Sequence, residues 1–190
     1  MSILLLENYI KYILKENKEF TTKLHVYDFD ATLFSSPKAP EEWKTKNAKT
    51  YWWNSSDSLN SNVVNSDVSH LWIEEVVSEA RKSISDMNTL AILCTARIEK
   101  PEVMYMTSGL LREKGLRFEK LFFKPEAFSG STGQYKAGVV KMLLNACPYI
   151  TEVVFWEDNK NNLNAVKDLI DKKDFYKRNR DITYLPKLVN

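Results

Sequence analysis

The sequence predicts a three-layer α/β sandwich with a mostly parallel five-stranded sheet. Two observations carry this. Short, nearly continuous apolar runs alternate with longer segments whose apolar residues recur every three to four positions, as in strands buried on both faces and the helices covering them. Acidic and hydroxyl side chains then stand at the ends of those runs, where an open α/β sheet presents its ligand crevice.

Residues 1–20 carry Leu5, Leu6, Tyr9, Ile10, Ile13 and Leu14 at helical spacing, which predicts an amphipathic helix packed on the domain. A first strand is expected over 23–27, ending at Asp28. Leu71, Trp72, Val76, Ala80 and Ile84 stripe the next helix, and a second strand is expected over 89–94. Pro101 opens a helix that Gly115 closes, since proline suits a helix start and glycine the residue past its end. A third strand is expected over 120–123. Tyr135, Val139, Val140, Leu143 and Leu144 stripe the following helix. A fourth strand is expected over 152–156. Leu163, Val166, Leu169 and Ile170 mark the last helix, and residues 182–185 an edge strand. The stretch 34–70, rich in Ser, Asn, Lys, Pro and Trp, is too long for a passive loop and sits beside the expected crevice. It reads as a small cap inserted into a single domain spanning 1–190.

Composition narrows the function. The 27 basic and 25 acidic residues leave +2, so the overall charge does not by itself draw a polyanion. Two cysteines (Cys94, Cys147) and two histidines (His25, His70) exclude a zinc ribbon, a haem site or a disulfide scaffold. No membrane span or signal peptide is expected, and a reducing cytoplasmic or nuclear setting is the natural reading. All five glycines lie at or beyond Gly109 and no phosphate-binding Gly-Lys-Ser/Thr loop occurs, which argues against a nucleotide kinase.

The expected strand ends carry Asp28 and Asp30, Thr95, Lys124, and Glu157 with Asp158. Carboxylates gathered on one rim repel one another and call for a cation. Hard oxygen donors without a Cys or His cluster select Mg²⁺. Two acids one residue apart, a hydroxyl (Thr95), a lysine near a helix start (Lys136) and a distal acid (Asp158) are the parts of phosphoryl transfer through an aspartyl-phosphate.

These residues resemble the motifs of the haloacid dehalogenase (HAD) superfamily. Asp28-Phe29-Asp30-Ala31-Thr32-Leu33-Phe34 looks like the first, Leu93-Cys94-Thr95-Ala96-Arg97 the second, Lys136 the third and Trp156-Glu157-Asp158 the fourth. Within the superfamily the sequence is most similar to the Swiss-army-knife RNA-repair-like group. Pro37, Trp52-Trp53, Trp72, Lys124-Pro125 and Thr132 ahead of Lys136 carry that likeness. It departs from the pattern at Ala31 and Ala96, where glycine is usual, and at Asn159 and Asn162, where the group tends to show Arg and His.

The resemblance implies a Mg²⁺-dependent phosphatase. Asp28 would be the nucleophile, Asp30 the general acid and base, and Thr95 with Lys136 the phosphoryl ligands. Mg²⁺ would be held by Asp28, Asp158 and the Asp30 carbonyl, with Glu157 and Asn162 behind them. It implies RNA or DNA ends as substrate, any kinase or ligase partner being a separate protein. A nucleotide or small-molecule phosphatase and a catalytically silent RNA-binding module are the alternatives.

Thr32, Arg97, Lys124, Trp52 and Trp53 are the candidate substrate contacts. Arg97 is either a surface cation or a fork onto a phosphate or a site carboxylate. Lys124 is either a strand end or a substrate contact. Tyr51, Trp52 and Trp53 form either the core of the cap or a platform on which a base stacks. Lys172, Lys173, Lys177, Arg178 and Arg180 read as a solvated helix end before a nucleic-acid track.

Overall fold

The computed structural model describes residues 21–46, 51–64, 67–172 and 181–190. The helix expected over 1–20 and the basic residues from Lys173 to Arg180 lie outside the described residues.

In chain order the elements are β1 (Lys23–Tyr27), α1 (Glu41–Lys46), α2 (Ser61–Val64), α3 (Glu74–Ser85), β2 (Thr89–Ile98), α4 (Pro101–Glu113), β3 (Lys120–Lys124), α5 (Thr132–Ala146), β4 (Glu152–Glu157), α6 (Lys160–Asp171) and β5 (Thr183–Leu188). The strands form one sheet in the order β3-β2-β1-β4-β5, every pair parallel. All their carboxyl ends therefore lie along one rim.

The two-residue period of the strands assigns each side chain to a layer. Leu24, Val26, Ile92, Val153 and Phe155 face α5 and α6 and pack on Val139, Val140, Leu143, Leu163 and Val166. Tyr27, Leu93, Val154 and Trp156 face the opposite way, toward Val76, Val77 and Ala80 of α3 and Leu110 and Leu111 of α4. Tyr27 stacks on Trp156, ring centroids 4.3 Å apart, tying β1 to β4 on that face.

Local signals set the helix ends. Pro101 opens α4, and Gly115 beyond its end takes φ +76°, a conformation that costs other residues dearly. Ser131 and Gln134 form a capping box on α5: the serine hydroxyl accepts from the Gln134 amide while the glutamine side chain accepts from the Ser131 amide.

Strands β3 and β4 each run one residue past the expected end, and three boundaries differ by more. Helix α3 begins at Glu74 rather than at Leu71, because Trp72 is taken up in a bridge with Phe34 and packs edge-on against its ring. Strand β5 runs past Leu185 to Leu188, paired with β4 along its whole length. Strand β2 continues beyond Cys94 to Ile98, and its register against β3 slips between Thr95 and Ile98. Such a bulge bends a strand and re-aims its side chains.

The described residues between Phe34 and Glu74 include short helical turns lying over the α3 and α4 side of the sheet. Leu59 and Val68 join the core there with Phe29, Phe34 and Trp72. Farther out, Trp43 packs edge-on against Trp52 at 4.8 Å. Their indole N–H groups donate to Asp57 Oδ2 (2.8 Å) and to the Pro37 carbonyl (2.7 Å), so both polar handles are satisfied.

Candidate active site

The turn after β1 builds the first wall of the site. Leu33 and Phe34 amides both donate to the Phe29 carbonyl, and the Ala31 amide donates to that of Phe34. This tight loop forces Ala31 to φ +54°, the left-handed region where a Cβ is costly. Phe29, Thr32, Leu33 and Phe34 turn inward and are buried, while Asp28 and Asp30 point to a cavity of 560 Å³ at the strand rim.

The second wall comes from β4, which ends at Glu157, and from Asp158 beyond it. One carboxylate oxygen from each of Asp28, Glu157 and Asp158 lies within 4.8 Å of the others. Helix α5 brings Lys136 between them. Its ammonium lies 2.8 Å from Asp28 Oδ1 and 2.5 Å from Glu157 Oε2, and all three side chains are buried. The other Glu157 oxygen accepts from the Asn159 amide (3.2 Å) and from Asn162 Nδ2 (3.1 Å). Close helix packing sets this up: a Cβ on Gly133 of α5 would meet that of Ala165 at 3.0 Å and Asn162 Oδ1 at 3.3 Å.

The electrostatics follow from burial. Desolvation raises the Asp28 carboxyl well above its ordinary range. Lys136 opposes this, while Glu157 and Asp30 add to it. Glu157 is raised for the same first reason, again against Lys136. Burial alone would lower Lys136, but Asp28 and Glu157 outweigh it and hold the ammonium above its ordinary value. The cluster is thus three carboxylates around one ammonium, short of positive charge. That donor set fits a hard divalent cation of the Mg²⁺ class held by Asp28 and Asp158, the two not already tied down by Asn159 and Asn162.

The remaining expected residues divide. Asp30, Arg97, Lys124 and Trp53 line the cavity together with Tyr51, Asn54, Thr132 and Asn159. Thr95 and Thr32 are fully buried. The Thr95 hydroxyl oxygen accepts from the Arg97 amide at 3.1 Å, so it braces the bulge while its own O–H remains a donor. Trp52 is 7% exposed and wedged on Trp43, a core side chain and not the stacking surface it was a candidate for. Trp53 is 40% exposed and Tyr51 78%, and these two rings stand at the cavity mouth. Arg97 is not a surface cation. Its guanidinium is fully buried and donates to Asp30 Oδ1 at 2.6 Å and Ser58 Oγ at 2.7 Å. Ser58 was not singled out in the sequence, since a serine in a serine-rich stretch carries no signal there.

Comparisons with known proteins agree with this architecture. Uncharacterized protein YMR265C of Saccharomyces cerevisiae is 26% identical over 174 residues, an overlap covering 80% of this chain and 38% of the yeast protein. A chain in the solved structure of a Pnkp1/Rnl/Hen1 complex superposes with a TM-score of 0.52 at 11% identity, over 90% of this chain and 48% of that one. This chain therefore spans less than half the length of either. At that identity the structural likeness speaks for the fold alone. The decisive match is a family model covering residues 32–187, beginning just past Asp28 and Asp30, and by it the chain belongs to HAD domain family 1 of Swiss Army Knife RNA repair proteins.

Proposed function

We propose that this domain is a Mg²⁺-dependent phosphohydrolase working through an aspartyl-phosphate, with phosphorylated RNA or DNA ends as its substrates. The observation that carries the reading is the buried Lys136 ammonium held between Asp28 and Glu157 at the cavity floor. A lysine sealed among carboxylates beside an open cavity is suited to receive a second anion there. Membership of a family named for RNA repair proteins supports the substrate class.

In this scheme an Asp28 carboxylate oxygen attacks phosphorus. The bond to the leaving oxygen breaks, and Asp30 gives that oxygen a proton. Arg97 and Ser36 occupy Asp30 Oδ1, which leaves Oδ2 as the oxygen to exchange that proton. Asp30, now ionised, removes a proton from water as the water attacks the phosphorus of the acyl phosphate. Inorganic phosphate leaves and Asp28 is restored. Lys136 pairs with the phosphoryl oxygens as charge develops on them, and Glu157, fixed by Asn159 and Asn162, keeps Lys136 aimed. Bound Mg²⁺, held by Asp28 and Asp158, would offset the charge of the approaching phosphate. The stretch over 34–70 acts as the cap.

Phosphate release from p-nitrophenyl phosphate, with and without Mg²⁺, tests the reaction. Mg²⁺-dependent release is expected, and none from the folded, Mg²⁺-supplied protein rejects the phosphatase in favour of a silent binding module. Oligonucleotides with 5′ or 3′ phosphates, set against mononucleotides, test the substrate. Preference for mononucleotides would replace the polynucleotide reading with a nucleotide phosphatase.

A further inference from the structure

The Arg97 guanidinium is buried, and the partners of its two terminal nitrogens belong to two different parts of the protein. Nη2 donates to Asp30 Oδ1 at 2.6 Å and to Ser36 Oγ at 3.4 Å. Ser36 Oγ in turn donates to the same Asp30 oxygen. Nη1 donates to Ser58 Oγ at 2.7 Å and to the Trp53 carbonyl at 3.2 Å. The guanidinium plane sits 5.3 Å from the Phe29 ring. One cation thus joins the loop after β1 to the turns over 52–59, which carry Trp53 to the cavity mouth.

The arrangement is specific to arginine. Two donor arms at a fixed angle can hold two acceptor sets at once, which a lysine ammonium on a flexible stem cannot do in the same geometry. The β2 bulge between Thr95 and Ile98 aims the arm, and the Thr95 hydroxyl braces its backbone. A fully desolvated guanidinium in this position is costly unless its partners stay in place.

We propose that Arg97 is a latch. It fixes the Asp30 carboxylate and the Trp53–Ser58 rim together, so that opening the rim over the cavity and releasing Asp30 are one coupled event. The kinetic consequence rests on the phosphohydrolase reading above, whereas the mechanical coupling does not. Through Ser58 the rim depends on Arg97, and through Arg97 the orientation of Asp30 depends on the rim. Arg97 is accordingly a positioning residue that acts through Asp30.

Hydrogen exchange on the metal-free protein tests the latch without assuming any activity. In Arg97→Met the amides over 53–60 are expected to exchange about tenfold faster or more, with those of β1 and β4 unchanged, as for a local opening. Ser58→Ala is expected to loosen the same amides, and the double variant to exchange no faster than Arg97→Met alone, because both changes cut one connection.

The kinetic arm separates positioning from mere structure. On p-nitrophenyl phosphate both variants are expected to lower kcat, Ser58→Ala by the smaller factor, because it loosens the rim while Arg97 keeps its direct bond to Asp30. Unchanged exchange over 53–60 in a folded Arg97→Met protein overturns the proposal, as do additive effects in the double variant. So does an unchanged kcat in a Ser58→Ala protein whose rim amides exchange faster. Should Arg97→Met not fold, the Ser58→Ala exchange pattern decides alone. A wild-type protein without phosphatase activity would reject the proposed function while leaving the exchange result to judge the latch.

Discussion

The ammonium of Lys136 lies 2.5 Å from Glu157 Oε2, with both side chains 1% exposed. The pair joins α5 to the end of β4 in a place where neither charge has water to fall back on. Removing the cation leaves buried carboxylates uncompensated, which typically costs about 3–5 kcal/mol. Lys136→Met is therefore expected to lower stability by that order in denaturant titration and to abolish turnover. A variant as stable as wild type would show that the pair contributes little net stability, and full activity would remove Lys136 from the proposed mechanism.

Burial raises the Asp28 carboxyl to about 7, from an ordinary value of 3.8. Its unfolded state ionises first. Between about pH 4 and 7 the folded state therefore holds the extra proton, and stability of the metal-free protein falls as pH rises through that window. Asp28→Asn, which cannot ionise, is expected to flatten this slope and to reduce turnover by at least ~10³-fold, since an amide is a poor nucleophile. Melting curves at several pH values in chelator check the first part. Near-normal activity of a folded Asp28→Asn protein would exclude the aspartyl-phosphate.

Asp158 is exposed, yet its carboxylate belongs to the same acidic cluster. Asp158→Ala is expected to raise the Mg²⁺ concentration for half-maximal activity by about tenfold or more. In chelator its melting point is expected to equal or exceed that of wild type, because like-charge repulsion on the rim is relieved. An unchanged Mg²⁺ requirement would take Asp158 out of the ligand set.

Trp52 and Trp53 are adjacent in sequence and opposite in role. Trp52→Ala empties a packed site against Trp43 and is expected to cost about 3–5 kcal/mol. Trp53→Ala, at the cavity mouth, is expected to leave stability within about 1 kcal/mol. If a base stacks there, it weakens oligonucleotide binding by roughly tenfold to a hundredfold, with little change for p-nitrophenyl phosphate. Equal losses on both substrates would reject stacking.

Ala31 adopts φ +54° in the loop between Asp28 and Thr32. Ala31→Gly relieves the Cβ clash while adding freedom to the unfolded chain, and a net gain of about 0.5–1 kcal/mol is expected. Thermal unfolding reads it directly. A loss would mean that the loop tolerates its alanine without strain.

The sheet and its rim were legible in the sequence because both are local signals. Apolar runs of five or six residues mark strands wherever they fall, and the residue after such a run sits at the carboxyl edge by chain geometry alone. Asp28, Glu157 and Asp158 were therefore placeable without coordinates. Trp52 and Trp53 show where this fails. Adjacent identical side chains carry one sequence signal, and only the turn they occupy decides which goes inward.

Thr95 and Arg97 make the boundary clearest. The sequence by itself determined that a hydroxyl and a guanidinium follow the second strand. It did not contain the register slip of β2 against β3, which arises from pairing with a strand more than twenty residues away. That slip sets the Thr95 hydroxyl oxygen to accept from the Arg97 amide. It also sends the guanidinium between Asp30 and Ser58, partners 67 and 39 positions distant. Identity and order were fixed by the chain. Which donor meets which acceptor was decided by tertiary packing, because a buried cation takes whatever acceptors the assembled layers leave within its reach.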